Sequence, residues 1–205
     1  MRTKNQMMEN FWNDRYRQSE YIYGETANVF LAEQLSQLKP GKLILPCEGE
    51  GRNAVHAAKK GWIVDAFDSS TEGKKKSMLL AEKNKVRINY DIANAQEIEY
   101  APESADVVAF IYAHFPAKFR KEIHQKSMGW LRPGGILLLE AFNPAQLQNS
   151  SGGPKEEAML YTTDMLRNDF SNLKIDILET LQTNLQEGKY HEGNADIIRF
   201  SGRKI

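Results

Sequence analysis

The stretch Pro46-Cys47-Glu48-Gly49-Glu50-Gly51-Arg52-Asn53-Ala54 decides how this chain is read. A short apolar run, Lys42 to Leu45, comes before it. A run of helical character, Asn53 to Lys60, comes after it and is closed by Gly61. Strand, glycine turn and helix in that order put the turn at a helix N-terminus, where backbone N–H groups face a ligand. Gly49 and Gly51 lack a Cβ and let the backbone come close to it.

Outward from the turn, strands and helices alternate. Upstream, Phe30, Leu31, Leu35 and Leu38 fall at helical spacing within Thr26 to Leu38, and Pro40-Gly41 ends that run. Downstream, the pattern predicts a strand over 63–67, a helix over 72–84 and strands over 86–90 and 106–111. A helix over 117–130 then stops at Leu131-Arg132-Pro133-Gly134-Gly135, before a strand over 136–140. Crossovers of this length predict a Rossmann-like, doubly wound α/β fold, with a parallel sheet covered by helices on both faces. The last third differs. Leu173 to Glu179 and Asp196 to Arg203 read as two strands joined by a loop with Gly188 and Gly193, a connection that suits antiparallel pairing. We expect one domain over 1–205: an N-terminal lid and helix (1–38), a cofactor-binding core (42–140), and a substrate-side loop with the C-terminal strand pair (141–205).

The bulk numbers fit this. A chain of 205 residues with 41 % apolar content can bury a core, roughly 70 % of its unfolded surface. Lys+Arg and Asp+Glu are both 27, so the net charge of zero argues against a nucleic-acid partner. The run Lys74-Lys75-Lys76 reads as a solvated helix face. One cysteine, Cys47, allows no intrachain disulfide and fits a reducing, cytoplasmic compartment. Residues 1–10 are polar, without the apolar stretch of a signal peptide, and no run suits a membrane span. We expect a small-molecule substrate, no membrane partner and no metal; the residues do not fix an oligomeric state.

Asp68 follows the second strand, where an acidic residue accepts hydrogen bonds from ribose hydroxyls, and its spacing from Gly51 suits one helix plus one strand. Two cofactors fit. Gly49 to Ala54 also matches the G-x-G-x-x-A form of the dinucleotide fingerprint. However, Glu48 and Glu50 put two carboxylates where a pyrophosphate would be repelled, whereas S-adenosylmethionine brings a cationic sulfonium and ammonium. The acidic loop favours the latter, partly offset by Arg52.

These residues, with Phe11-Trp12-Asn13-Asp14-Arg15-Tyr16, Tyr23-Gly24, the Arg132-Pro133-Gly134-Gly135 turn, Leu139-Glu140-Ala141-Phe142 and Gly152-Gly153-Pro154, resemble class I S-adenosylmethionine-dependent methyltransferases. Within them, the chain is similar to the small bacterial tellurite-resistance-type enzymes over nearly its whole length. The resemblance implies a seven-stranded, mostly parallel sheet with one antiparallel strand near the end. It places Gly49 and Gly51 under the methionine part of the cofactor, Asp68 and Ser69 at the ribose, Asp91 and Ile92 beside the adenine, and Ile111 and Tyr112 at the methyl-donor face. Arg15, Tyr23, Glu48 and Asn53 complete the expected cofactor contacts. Leu45 stands where the family commonly has an acidic residue, and Cys47 where it usually has glycine.

On the substrate side, methyl transfer needs alignment of the nucleophile and exclusion of water, and a base only where the acceptor holds a proton. His114 follows the fourth strand at the edge where ligands bind and is the expected catalytic group. Tyr16, Glu140 and Phe142 are expected beside the substrate. His191 reads as a loop surface residue. Trp12, Tyr16, Tyr21 and Tyr23 form an aromatic segment that can close as a lid, and Asn149 to Pro154 reads as a mobile loop. The tellurite-type resemblance implies thiol or chalcogen-oxyanion acceptors such as tellurite or selenite. An NAD-dependent oxidoreductase and a non-catalytic adenosyl-binding protein remain the alternatives.

Overall fold

Residues 42–46 are apolar apart from Lys42, and they form β1 (Lys42–Pro46), buried from Leu43 onward. β1 pairs in parallel with β2 (Ile63–Asp68), and β2 with β3 (Asn89–Ile92). A computed structural model describes residues 4–205, with side chains from residue 9 on. The reading of residues 1–10 as leader-free falls partly on residues 1–3, outside the described residues.

The remaining strands are β4 (Ala105–Ile111), β5 (Leu131–Phe142), β6 (Leu173–Gln186) and β7 (Glu192–Lys204). They complete a seven-stranded sheet of order β3-β2-β1-β4-β5-β7-β6. β4 and β5 are parallel, and β7 runs antiparallel to both β5 and β6. Packing groups the chain into two compact units. One runs to Ile98 and takes in Glu187–Lys189; the other is Glu99–Gln186 with Tyr190–Ile205.

In the first unit four helices accompany β1 to β3: α1 (Lys4–Tyr16), α2 (Val29–Ser36), α3 (Arg52–Lys59) and α4 (Thr71–Lys83). Asn28 caps α2 by accepting from Leu31 N at 3.0 Å, and Ser70 caps α4 by accepting from Gly73 N at 3.0 Å. The polar sequence of α1 has no apolar stripe, so periodicity does not announce this helix. Its second half is held by aromatic rings instead, with Trp12 stacked on Tyr16 at 5.5 Å. β3 starts three residues later than the sequence predicts. Lys85 takes a positive φ of 58° and Val86 N bonds back to Ala81 O, so the chain is still turning at Val86. Lys76 corrects the reading of 74–76 as one solvated face. Consecutive helical residues point about 100° apart, and Lys76 is buried while Lys75 is exposed.

In the second unit α5 spans Ala117–Trp130 as predicted and α6 spans Thr163–Asp169. His124, which the sequence reading passes over, is fully buried. It shares Asp169 with Arg120, at 2.9 Å and 2.7 Å, and so ties α5 to α6. The chain enters β5 at Leu131 with no intervening loop. Pro133 and Gly134, with φ +78° at the glycine, sit in a register irregularity opposite Ala105/Val107, as expected for proline inside a strand. Among the described residues no helix is long and apolar enough to cross a membrane.

Candidate functional site

The β1–α3 loop turns through three left-handed residues: Cys47 (φ 55°), Gly49 (φ 60°) and Gly51 (φ 88°). A non-glycine residue there costs about 1 kcal/mol or more, so Cys47 carries strain where a glycine would carry none. The glycines are also hemmed in by this chain's own side chains. A Cβ at Gly49 would lie 2.6 Å from the Tyr16 hydroxyl, and one at Gly51 would overlap Ser77 Oγ. Gly51→Ala is therefore expected to lower stability by about 3 kcal/mol, from backbone strain plus overpacking. Adding Ser77→Gly recovers part of the overpacking, since the Cα of residue 77 would still lie 2.8 Å from the new Cβ. Denaturant midpoints of the two variants check this, and equal midpoints would show that Ser77 is not the obstacle.

Asp68 ends β2 and is buried. Its Oδ2 accepts from Gly49 N at 3.2 Å and its Oδ1 from Ser70 N at 2.8 Å. Burial raises its pKa to about 6 despite those bonds. Ser69 N adds a third donor, and a carboxylate with about four lone-pair sites still keeps room for a further one. Tyr90 donates to Gly49 O at 2.5 Å and pins the turn from β3. The Tyr16 hydroxyl points at Gly49. Burial first, and the Asp68 charge second, raise its pKa well above the usual tyrosine value, so it stays protonated. Tyr16 as a whole is only 4 % exposed.

The two loop glutamates do different work from the one expected. Glu48 accepts from Ala54 N at 2.7 Å and Asn53 Nδ2 at 3.2 Å, capping α3, and burial raises its pKa to about 7. Glu50 accepts from Ile22 N at 2.8 Å and Tyr23 N at 3.3 Å, and pairs with Lys76 Nζ at 2.6 Å. Lys76 also donates to Glu20 O at 2.5 Å. The charge of Glu50 is thus met inside the chain, which leaves Glu48 and Asp68 as the acidic groups of the turn. Residues 20–23 are stapled to the loop by the same contacts.

Arg52 donates to Tyr23 O at 3.1 Å and pairs with Glu187 at 2.9 Å, and Glu187 also accepts from Asn28 Nδ2 at 3.1 Å. Asn53 Oδ1 accepts from Asn28 N at 2.9 Å. Glu187 carried no sequence signal, because its partner Arg52 lies 135 residues away. Arg15 donates to the Tyr23 hydroxyl at 2.9 Å, and its guanidinium lies 4.6 Å from the Phe11 ring centroid. Ser69 is half-buried, and Asp91 and Ile92 are exposed at the end of β3. The first unit therefore gathers Arg15, Tyr16, Tyr23, Glu48, Gly49, Gly51, Asn53 and Asp68 by direct contact.

In the second unit the predicted residues also meet. The β4–β5 register sets Ile111 beside Glu140, and β7 brings Arg199 opposite Glu140. Glu140 is 2 % exposed. It accepts from the Tyr112 hydroxyl at 3.0 Å and from Arg199 Nε at 2.7 Å. The Tyr112 ring lies 4.7 Å from Phe142 and 4.4 Å from His191. His191 is buried, which corrects its reading as a surface residue. The 149–154 loop is likewise packed. Ser151 is buried, a Cβ at Gly152 would overlap Tyr190 O, and one at Gly153 would lie 2.8 Å from Phe142.

The geometry of His114 does not support an acid–base role. Its Nδ1 sits 2.7 Å from Met159 O, so Nδ1 carries the proton, and its Nε2 accepts from Phe142 N at 3.2 Å. Burial lowers its pKa to about 4, keeping the ring neutral. His114→Leu is expected to cost about 2–3 kcal/mol by stranding two backbone groups. The shape of any pH–rate profile between about pH 5 and 8 should not change. Loss of a kinetic pKa in that range would restore a catalytic histidine. An open groove of about 530 Å³ lies elsewhere in this unit, lined by Asn143, Tyr161, Thr162, Thr180, Gln182 and Asp196 among others; none of the predicted site residues lines it.

No curated protein matches the sequence. Residues 46–135 match the family model described as Methyltransferase domain. Among solved structures, one described under the conversion of a disulfide bond into a thioacetal group during echinomycin biosynthesis superposes with a TM-score of 0.76 at 14 % identity, over 96 % of this chain and 92 % of that one. TehB from Haemophilus influenzae gives 0.71 at 14 %, over 96 % and 67 %. Magnesium protoporphyrin IX methyltransferase from Synechocystis PCC 6803, with bound S-adenosylmethionine, gives 0.71 at 13 %, over 100 % and 99 %. At such identities the likeness is one of fold: a seven-stranded class I methyltransferase sheet with β7 antiparallel. On that fold, the matched residues 46–135 run from the glycine turn through Asp68 to Gly135 in β5.

Proposed function

We propose that this protein is an S-adenosylmethionine-dependent methyltransferase acting on a small, uncharged acceptor, with a thiol as the favoured class. One observation carries the cofactor assignment. Around Gly49, a buried carboxylate keeps lone-pair capacity beyond its backbone donors, and the Tyr16 hydroxyl lies over the same glycine. A ribose diol supplies a donor for Asp68, and the cofactor's oxygen atoms supply an acceptor for Tyr16. Glu48, Asn53 and Arg15 hold the loop and its covering segment around Gly49 and Gly51. Ser69 stands beside Asp68, Asp91 and Ile92 serve the adenine, and Ile111 and Tyr112 serve the methyl-donor face, as the family resemblance implies. The bound cofactor supplies an electrophilic methyl group. The chain's part is to fix its orientation and keep water away.

The acceptor class comes from the second unit. Its predicted site residues are aromatic or neutral, apart from Glu140, whose partner is Arg199. An oxyanion such as tellurite or selenite would meet a neutral His114 and a carboxylate already paired with Arg199, so the predicted residues offer it no uncommitted positive charge. A neutral thiol fits aromatic walls. The structural neighbour described under thioacetal formation, a change at sulfur, supports that choice.

Calorimetric titration with S-adenosylhomocysteine tests the cofactor, and saturable binding is expected. No heat at millimolar ligand, or saturable binding of NADH in its place, would overturn the reading. A labelled-donor screen over thiols, selenite, tellurite and small metabolites tests the acceptor. Turnover on the oxyanions above that on thiols would reverse the acceptor class.

A further inference from the structure

The groove of about 530 Å³ lies wholly within the second unit, and the proposed methyl transfer makes no use of it. Its size falls in the range of small-molecule sites, roughly 300–1,000 Å³. The strand register explains part of its lining. Gln182 on β6 is the partner of Asp196 on β7, so the two share one face of the hairpin, and Thr180, two residues before Gln182, shares it too. The turn after β5 adds Asn143, Pro144 and Ala145, and the segment entering α6 adds Tyr161, Thr162 and Thr163.

The polar groups of this lining differ in what they already do. Asn143 Nδ2 donates to Ile197 O, and its Oδ1 accepts from Ala145 N. The Tyr161 hydroxyl donates to Ala113 O and accepts from Phe115 N. Both are committed to the fold. The side chains of Thr163, Thr180 and Gln182 have no hydrogen bond among the described residues, and Thr162 Oγ1 accepts from Met165 N and keeps its own proton to donate. Asp196 is held at three points by the 143–149 turn. Its N donates to Gln146 Oε1 at 2.8 Å, its O accepts from Asn143 N at 3.1 Å, and its Oδ2 accepts from Asn149 Nδ2 at 2.8 Å. The carboxylate is thus oriented in advance, while Oδ1 accepts no bond and Asp196 has no ion pair among the described residues. No lysine, arginine or histidine lines the groove among them. Threonines and an aspartate are ordinary on a flat surface. Here they converge on one concavity with one fixed negative charge and no cation beside it.

We propose that this groove binds a protonated amine that also carries hydroxyl groups, with the chemistry of an amino sugar. The ammonium donates to Asp196 Oδ1. The hydroxyls pair with Gln182, which offers both donors and an acceptor, and with Thr162, Thr163 and Thr180. Pro144, Ala145 and Leu181 supply the apolar part of the lining. An anion of the same shape meets the carboxylate with no cation to offset it, and a neutral polyol lacks the charge-assisted bond. The site goes beyond the methyltransferase reading and stands apart from it, since binding here needs no adenosyl ligand.

Three sugars of one shape and different charge test this by NMR titration of the full chain: glucosamine, glucose and glucuronate. The titrations run below neutral pH, where the amine holds its proton. Glucosamine should saturate with a Kd of about 1–10 mM, ordinary for a ligand of its size, and should move the side-chain amide signals of Gln182 and Asn149. Glucose should bind about tenfold more weakly or worse, for want of the charge-assisted bond, and glucuronate should shift nothing. Asp196→Asn keeps an oxygen for Asn149 and should weaken glucosamine about tenfold or more. Thr180→Lys leaves Asp196 in place and puts an ammonium in the groove from an exposed position on an edge strand, where lysine is tolerated. It should weaken glucosamine to a similar extent, with an unfolding midpoint near the parent's. Equal binding of the three sugars, shifts away from the groove, or no saturation by about 50 mM would overturn the site. So would parental affinity for glucosamine in either variant.

Discussion

Asp68→Ala is expected to weaken binding of S-adenosylhomocysteine by about tenfold to a hundredfold. A hydrogen bond from a ribose hydroxyl to a charged, buried acceptor is lost, worth about 1.5–3 kcal/mol. Folding should change far less. The variant strands Gly49 N and Ser70 N, but it also removes a carboxylate that burial disfavours. Calorimetry on a variant whose unfolding midpoint stays near the parent's checks this, and full retention of affinity would remove Asp68 from the site. The same residue gives a pH signature with two opposite slopes. Its folded pKa, about 6, lies above the unfolded value of 3.8. The folded chain therefore binds this proton more tightly than the unfolded chain does. The burial cost is present above about pH 6 and is relieved as pH falls toward 3.8. Asp68 alone should thus make the free protein about 1 kcal/mol more stable at pH 5 than at pH 7, and Glu48, raised to about 7, pushes the same way. Ligand affinity runs in the other direction. Protonation removes an acceptor for the ribose, so affinity should hold above about pH 7 and fall roughly tenfold per unit below 6. Parallel slopes for stability and affinity would contradict the ribose assignment.

The sequence shows strand, glycine turn and helix because all three are local signals. An apolar run of four residues, two glycines at fixed spacing and a carboxylate one helix and one strand further on suffice to place Gly49, Gly51 and Asp68 together. The reason those positions must be glycine was not local. Tyr16 and Ser77 occupy the space a Cβ would need, and neither is close in sequence. The missed contacts are of the same kind. Glu187 reaches Arg52 across 135 residues, and no period or motif links a hairpin tip to a helix start. α1 was invisible because it packs by stacked aromatic rings and not by an apolar stripe. His191 and the 149–154 loop look like surface from composition, since polar residues and glycines usually are. Here Gly152 and Gly153 allow close backbone packing against His191 and Phe142. His114 follows β4 and stacks on Phe142, but sequence cannot show that Met159 O and Phe142 N take both its nitrogens.

Lys76→Met is expected to destabilise the protein by about 3–5 kcal/mol, the usual cost of leaving a buried charge without its partner. Glu50 is 4 % exposed and Lys76 8 %. Without the ammonium, Glu50 retains only the N–H donors of Ile22 and Tyr23, and Glu20 O loses its bond. Adding Glu50→Gln should recover much of the loss, because a neutral amide oxygen still accepts from Ile22 N and no net charge remains buried. That asymmetry separates two roles for the pair. If the pair only contributes stability, the double variant should bind S-adenosylhomocysteine as the parent does once it is folded. If it holds residues 20–23 against the loop, affinity should stay low in the double variant although its unfolding midpoint has returned. The geometry supports the second outcome. Lys76 bonds both to Glu50, beside Gly49 and Gly51, and to the backbone at Glu20, four residues past Tyr16. The Tyr16 hydroxyl fills the space over Gly49, so a loosened segment 20–23 loosens the cover of the turn proposed to hold the cofactor. Unfolding midpoints and S-adenosylhomocysteine titrations of both variants decide between them, and a double variant with parental affinity would leave the Glu50–Lys76 pair a structural role alone.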